Sequence, residues 1–167
     1  RIVDDSLNIL SKDEIGNIQV KGPNVFNGYW NLPDKTKEDF SVDNFFNTGD
    51  KGFIDQDGYL TIVGRSKDMI ISGGLNVYPK EVESLIDDIE AVGESAVIGL
   101  KDDDLGEKVV AVVVKKDGLE ITEEDLIATL KNDIAGFKVP KKIIFIEELP
   151  RNAMGKVQKN VLRDNYQ

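Results

Sequence analysis

Apolar positions along the chain change rhythm near residue 64. Before it they come in short alternating runs broken by turn residues. After it they come at helical spacing, interleaved with continuous β-branched runs. Residues 14–20 alternate Ile15, Ile18 and Val20 around a glycine, the period of a strand with one buried face. Lys21-Gly22-Pro23-Asn24 reads as a turn, and Pro33 opens a short helix because its fixed φ suits a first helical position. Phe45-Phe46 leads into Asn47-Thr48-Gly49-Asp50, expected as a polar turn between strands. Residues 51–55 and 59–63 are two strands, and the Asp57-Gly58 step between them favours a hairpin.

Beyond residue 64 the pattern alternates strand and helix. Residues 69–71 form a short strand. Pro79 opens a helix that buries Val82, Leu85, Ile86 and Ile89, spaced i, i+3, i+4, i+7. Glu81 and Glu83 lie near its start, where the helix dipole favours carboxylates, and read first as structural. Residues 95–100 are a strand and residues 101–106 an acidic loop. The unbroken apolar run 109–114 predicts a central strand covered on both faces. Thr122-Glu123-Glu124-Asp125 resembles a capping box before a helix presenting Leu126, Ile127, Leu130 and Ile134, with Gly136 as its stop. Residues 142–147 make the next strand and residues 159–166 a final short helix. The fold class expected is mixed α+β. A small β-rich part over 1–66 is followed by a hinge and a compact α/β domain, a three-stranded sheet with helices, over 67–167.

Composition narrows the chemistry. With 40% apolar and 31% charged residues the chain is globular in character. Its longest apolar run is far short of a membrane span. It has no cysteine and no histidine, which excludes disulfides, thiolate or imidazole metal sites and histidine catalysis. Lys, Arg, Asp, Glu and backbone amides remain. A net charge of −10 argues against a nucleic-acid partner. Residues 138–167 nevertheless carry seven basic against three acidic side chains. Such a local basic tail suits a small anionic ligand, and equally a solvated face with i,i+4 pairs.

Four places carry candidate chemistry. Asp50 offers two acceptor oxygens that match vicinal hydroxyls, or it caps a turn. The Arg65 guanidinium can bridge ribose or phosphate oxygens in a fixed fork, or pair with a surface aspartate. Gly73 and Gly74 permit close ligand approach, or make an ordinary turn. Lys156 follows a glycine, a mobile point charge that can enter a cleft, or one more solvated lysine.

Three runs, in order, carry a family resemblance. NTGD at 47–50 resembles the ribose-binding aspartate motif of adenylate-forming enzymes, the superfamily of acyl-CoA synthetases, luciferases and peptide-synthetase adenylation domains. GRSKDMI followed by SGGLNVYPKEVE at 64–83 resembles the hinge region of that superfamily, and PRNAMGKVQK at 150–159 its C-terminal lysine loop. The likeness spans essentially the whole chain. ISGG-NVYPKEVE, GESAVIG and LPRNAMGKVQKNVLR are worded most like malonyl-CoA synthetases.

The resemblance implies roles residue by residue. Asp50 would bind the ribose of ATP and Arg65 would contact the nucleotide. Lys67 would be the hinge, Gly73 and Gly74 would line the pantetheine tunnel of CoA, and Lys156 would be the catalytic lysine at the acyl carboxylate and α-phosphate. The implied activity is an AMP-forming acid–CoA ligation. Malonate, ATP and CoA would give malonyl-CoA, AMP and pyrophosphate through an acyl-adenylate. The alternatives are another acyl- or aryl-CoA ligase, an adenylation domain, or a non-catalytic stand-alone module. The expected partners are the acid, ATP, CoA and a larger N-terminal domain preceding Arg1, which is not a natural start. The phosphate loop, Mg²⁺ ligand and acyl pocket would lie in that larger domain, so the chain by itself is expected to be inactive. The Gly155-Lys156 step also resembles sequences modified by lysine acetyltransferases, and acetylation would remove the charge. The expected compartment is the cytoplasm or an organelle matrix.

Overall fold

Alternation in the first third of the chain produces an antiparallel sheet. In the computed structural model, which describes all of residues 1–167, β1 (Ile2–Val3), β2 (Gly16–Val20), β3 (Phe46–Ile54) and β4 (Leu60–Arg65) pair in that order. Ile2, Val3 and Ile18 are buried, while Ile15 and Val20 face outward, so the sheet has one packed face. Gly52 lies flush in β3: a Cβ there would stand 2.4 Å from the Thr61 carbonyl oxygen and 2.8 Å from Ile18 Cδ1. The β3–β4 turn closes on Asp55, whose carboxylate accepts the Asp57 and Tyr59 N–H groups, with Gly58 at φ +92°. Helix α1 (Pro33–Asp39) starts on its proline as expected. Beside it Phe26 meets Tyr29, Phe40 and Phe46 edge-on, with centroids 5.0–5.7 Å apart.

The polar run 47–50 is not a turn. It lies inside β3 as a bulge: Asn17 pairs with Lys51 and Gln19 with Asn47, so three residues of β3 oppose Ile18 alone. Gly49, at φ +75°, takes the left-handed conformation the bulge needs. The Thr48 hydroxyl donates to the Ile18 carbonyl at 3.0 Å and accepts the Asp50 N–H at 3.1 Å. A short polar run with a glycine looks like a turn, but here side-chain bonds let the strand continue.

The boundary between the two compact units falls in a 3₁₀ turn, Ser66–Asp68, with one unit being Arg1–Lys67 and the other Asp68–Gln167. The second unit is built on β8 (Gly106–Lys115). On one side it pairs antiparallel along the whole of β7 (Val92–Asp102). On the other it pairs parallel with β9 (Lys142–Ile146) and, at Gly106, antiparallel with β5 (Ile70–Ser72). β6 (Leu75–Val77) extends the sheet beyond β5, so the sheet has five strands and not the three expected from the sequence, the extra ones being short strands of three residues. The acidic loop shrinks to three residues, because Asp102 folds back to accept the Asp104 and Leu105 N–H groups.

β8 is covered on both faces, as its composition requires. Val109, Ala111 and Val113 pack with Val82 and Ile86 of α2 (Pro79–Asp87) and Leu126 and Leu130 of α3 (Glu123–Asp133). Val110 and Val112 pack with Leu149 and with Leu162 of α4 (Lys159–Tyr166). Each such aliphatic residue contributes roughly 1.5–3 kcal/mol on burial. Thr122 caps α3, its hydroxyl accepting the Asp125 N–H at 3.1 Å. Helix α3 ends at Asp133 rather than at Gly136: Ile134 already turns to extended backbone and packs against the α2–α3 core, which stops the helix first.

Candidate active site

Asp50 and Arg65 are brought together by strand register. They are direct cross-strand neighbours on β3 and β4, and an Arg65 guanidinium nitrogen lies 3.1 Å from Asp50 Oδ1. The Arg65 side chain is 51% exposed and that of Asp50 25%, so both keep polar atoms for another partner. The β3–β4 ladder shifts register between Lys51 and Gly52, leaving Val63 without a partner, and beyond that shift Asp50 stands opposite Arg65. Pairing with an aspartate and contact with a nucleotide, the two readings open for Arg65, are compatible in this geometry.

Lys67 is exposed and ends the first unit. Asp68 begins the second and accepts from Arg163 of α4 at 3.0 Å. Gly73 and Gly74 form the two-residue turn of the β5–β6 hairpin, at φ +58° and +78°, values that a type I′ turn demands. The Gly73 N–H donates to the Leu105 carbonyl at 2.9 Å, fastening this turn beside the β7–β8 turn. A Cβ on Gly74 would meet nothing within 4 Å, so the turn presents bare backbone to open space.

Lys156 sits on a tight exposed loop. Asn152 organises it: its side-chain oxygen accepts the Met154 and Lys156 N–H groups, and its backbone bonds to Lys156 and Gly155 close the turn. Gly155 takes φ +77°. Arg151 donates to the Gly155 carbonyl at 2.8 Å and pairs with Glu94 at the start of β7. The Lys156 ammonium makes no hydrogen bond or ion pair.

The two loops of the second unit lie at opposite ends of one hairpin. Lys156's loop is tied to Glu94, and the glycine turn to Leu105 beyond Asp102. Eight residue steps of extended β7 carry the chain from Glu94 to Asp102, roughly 26 Å at 3.3 Å per step.

Residues that reasoning from sequence passes over hold these loops. Glu83, read as a helix-start carboxylate, is buried. Its Oε1 accepts the Val97 N–H at 2.8 Å and the Lys159 ammonium at 2.5 Å. Its place between Val82 and Ile86, on the buried face of an amphipathic helix, was the one signal available. A groove of about 1190 Å³ near Phe26, Tyr29 and Trp30 is lined by residues 21–44 and includes neither Asp50 nor Arg65. No three acidic side chains converge as a metal site. No helix is long and apolar enough to cross a membrane.

Residues 81–156 match the AMP-binding enzyme C-terminal domain family, and the chain carries that domain. Its relatives are acyl-CoA ligases. It is 48% identical over 149 residues to 3-[(3aS,4S,7aS)-7a-methyl-1,5-dioxo-octahydro-1H-inden-4-yl]propanoyl:CoA ligase of Rhodococcus jostii, covering 89% of this chain and 29% of that protein. Among solved structures, ATP-bound MatB from Rhodopseudomonas palustris matches at 54% identity with a TM-score of 0.93, over 99% of this chain and 33% of that one. The amide bond synthetase McbA from Marinactinospora thermotolerans matches at 34% identity with a TM-score of 0.94, over 99% and 34%. The mixed α+β class expected from the sequence is the one found. The chain spans about a third of the length of these relatives.

Proposed function

We propose that this chain works as part of a longer ATP-dependent, AMP-forming acid–CoA ligase. Carboxylate and ATP give acyl-adenylate and pyrophosphate. CoA thiol then attacks the acyl carbon and releases AMP. Lys156 serves the first step, where a preplaced ammonium stabilises the charge that develops between carboxylate and α-phosphate. Asp50 and Arg65 hold the ribose and its neighbouring oxygens. The Gly73-Gly74 turn serves the second step, letting the thiol arm pass close to backbone. Lys67 is where the second unit turns between the steps.

The observation that carries this reading is the separation of the two loops. An unpaired lysine and a bare glycine turn, on loops whose anchor points lie roughly 26 Å apart along β7, do not serve one cleft in a single pose. A turn about a short linker presents them in succession, and such steps commonly set turnover. Malonate is the acid proposed, on the wording of the three motif runs. Acetylation of Lys156 would switch off the first step alone, because it removes the charge.

The test uses the full-length protein with ATP, CoA and a panel of carboxylic acids, following pyrophosphate, AMP and thioester. The expected result is stoichiometric formation of all three, fastest with malonate. Equal rates across the panel would remove malonate. Pyrophosphate without thioester, with an added amine instead taking the acyl group from the adenylate as an amide and releasing AMP, would replace CoA as the acceptor.

A further inference from the structure

β7 is an edge strand, paired only with β8, and its open side is closed by charge. Glu83 reaches that edge from α2, on one face of the sheet, and accepts the outward Val97 N–H. Lys159 reaches the same carboxylate oxygen from the start of α4, on the other face. Their side chains are 9% and 18% exposed. A buried ion pair is a poor way to gain stability, since desolvation offsets most of the attraction; its better-attested use is to fix one arrangement.

What this pair fixes is the loop of Lys156. Lys159 stands three residues after Lys156, at the first position of α4. Residues 151–156 are all exposed, Met154 at 79%, and the nearest apolar anchor is Val157 at the stem, half-buried against the Leu149 and Leu162 core and bridged to Arg151. Its position is set at its stems. Arg151 grips Glu94 of β7 at one stem, and Lys159 grips Glu83 at the other. Both carboxylates belong to the rigid α2–β7 layer.

We propose that Glu83 and Lys159 are positioning residues that aim Lys156, through the α4 stem, at the adenylation cleft. This deepens the ligase reading and rests on it. The pair touches no substrate. Loss of the pair leaves Lys156 present and charged but lets its loop wander, so the cost falls on the chemical step that uses it.

The test is the double variant Glu83→Gln/Lys159→Met in the full-length ligase. It removes both charges together, keeps an acceptor for the Val97 N–H and leaves no buried unpaired ion. Adenylation turnover should fall about ten- to a hundredfold, the scale of an ångström-sized misplacement. The KM for ATP and for the acid, and thioester formation from supplied acyl-adenylate, should stay at their wild-type values. Lys159→Arg, which can still reach Glu83, should recover most of the loss. Unchanged adenylation in the double variant, or equal loss in both half-reactions, overturns the proposal. Lys156→Ala run beside it separates the two claims. If Lys156→Ala abolishes adenylation while the double variant does not, only the clamp fails. If Lys156→Ala adenylates normally, the ligase reading fails first.

Discussion

Two ion pairs, one in each unit, hold candidate residues at opposite depths. Asp50–Arg65 joins neighbouring strands at 3.1 Å with the arginine half exposed. Glu83–Lys159 joins two helices across a sheet edge at 2.5 Å, almost out of water. On the proposed reading the difference separates a pair open to a ligand from a pair that scaffolds. An exposed guanidinium loses little by leaving one carboxylate for ligand oxygens. A buried carboxylate with a largely covered ammonium beside it has little freedom to re-pair, so the pair holds its neighbours still. Lys156 differs from both, since its ammonium is held by no hydrogen bond or ion pair.

Glu83→Ala would break this contrast most sharply. It strands a buried ammonium and orphans the Val97 N–H, and should cost about 3–5 kcal/mol of stability, read from urea unfolding. A loss near zero would put the pair in solvent. Smaller effects are expected at the exposed pair. Asp50→Asn should raise the KM for ATP about tenfold, the scale of one hydrogen bond to a charged group. Arg65→Ala should change folding stability by less than about 1 kcal/mol while weakening ATP binding. A large stability loss with ATP binding intact would make Arg65 a structural residue.

Much of this was legible in the chain. The β-branched run 109–114 announced a strand with two covered faces, and Thr122, Pro79 and the 3.6-residue spacing marked the helices. What was not legible depends on pairing between distant residues. β6 is three residues long, too short for periodicity, and is specified by the Gly73-Gly74 turn ahead of it. The bulge at 47–50 depends on Ile18 offering its carbonyl to Thr48, thirty residues away. Glu83 and Lys159 are 76 positions apart, and no local pattern joins them. The motif wording pointed to Asp50, Arg65 and Lys156, and physical reading alone could not choose between ligand contact and surface chemistry at any of them.

On the proposed mechanism one sheet presents its two ends to a single cleft in turn. The most direct measurement is the pair of half-reaction rates in the full-length protein for Lys156→Ala and Gly74→Phe. Gly74 faces open space, so the phenyl ring adds bulk without a clash and at a strain of about 1–2 kcal/mol for positive φ. The account predicts opposite losses. Lys156→Ala should slow adenylation about 10²–10³-fold and leave thioester formation from supplied adenylate intact. Gly74→Phe should leave adenylation intact and slow thioester formation. If both variants slow the same half-reaction, the two loops do not take turns and the claim is wrong.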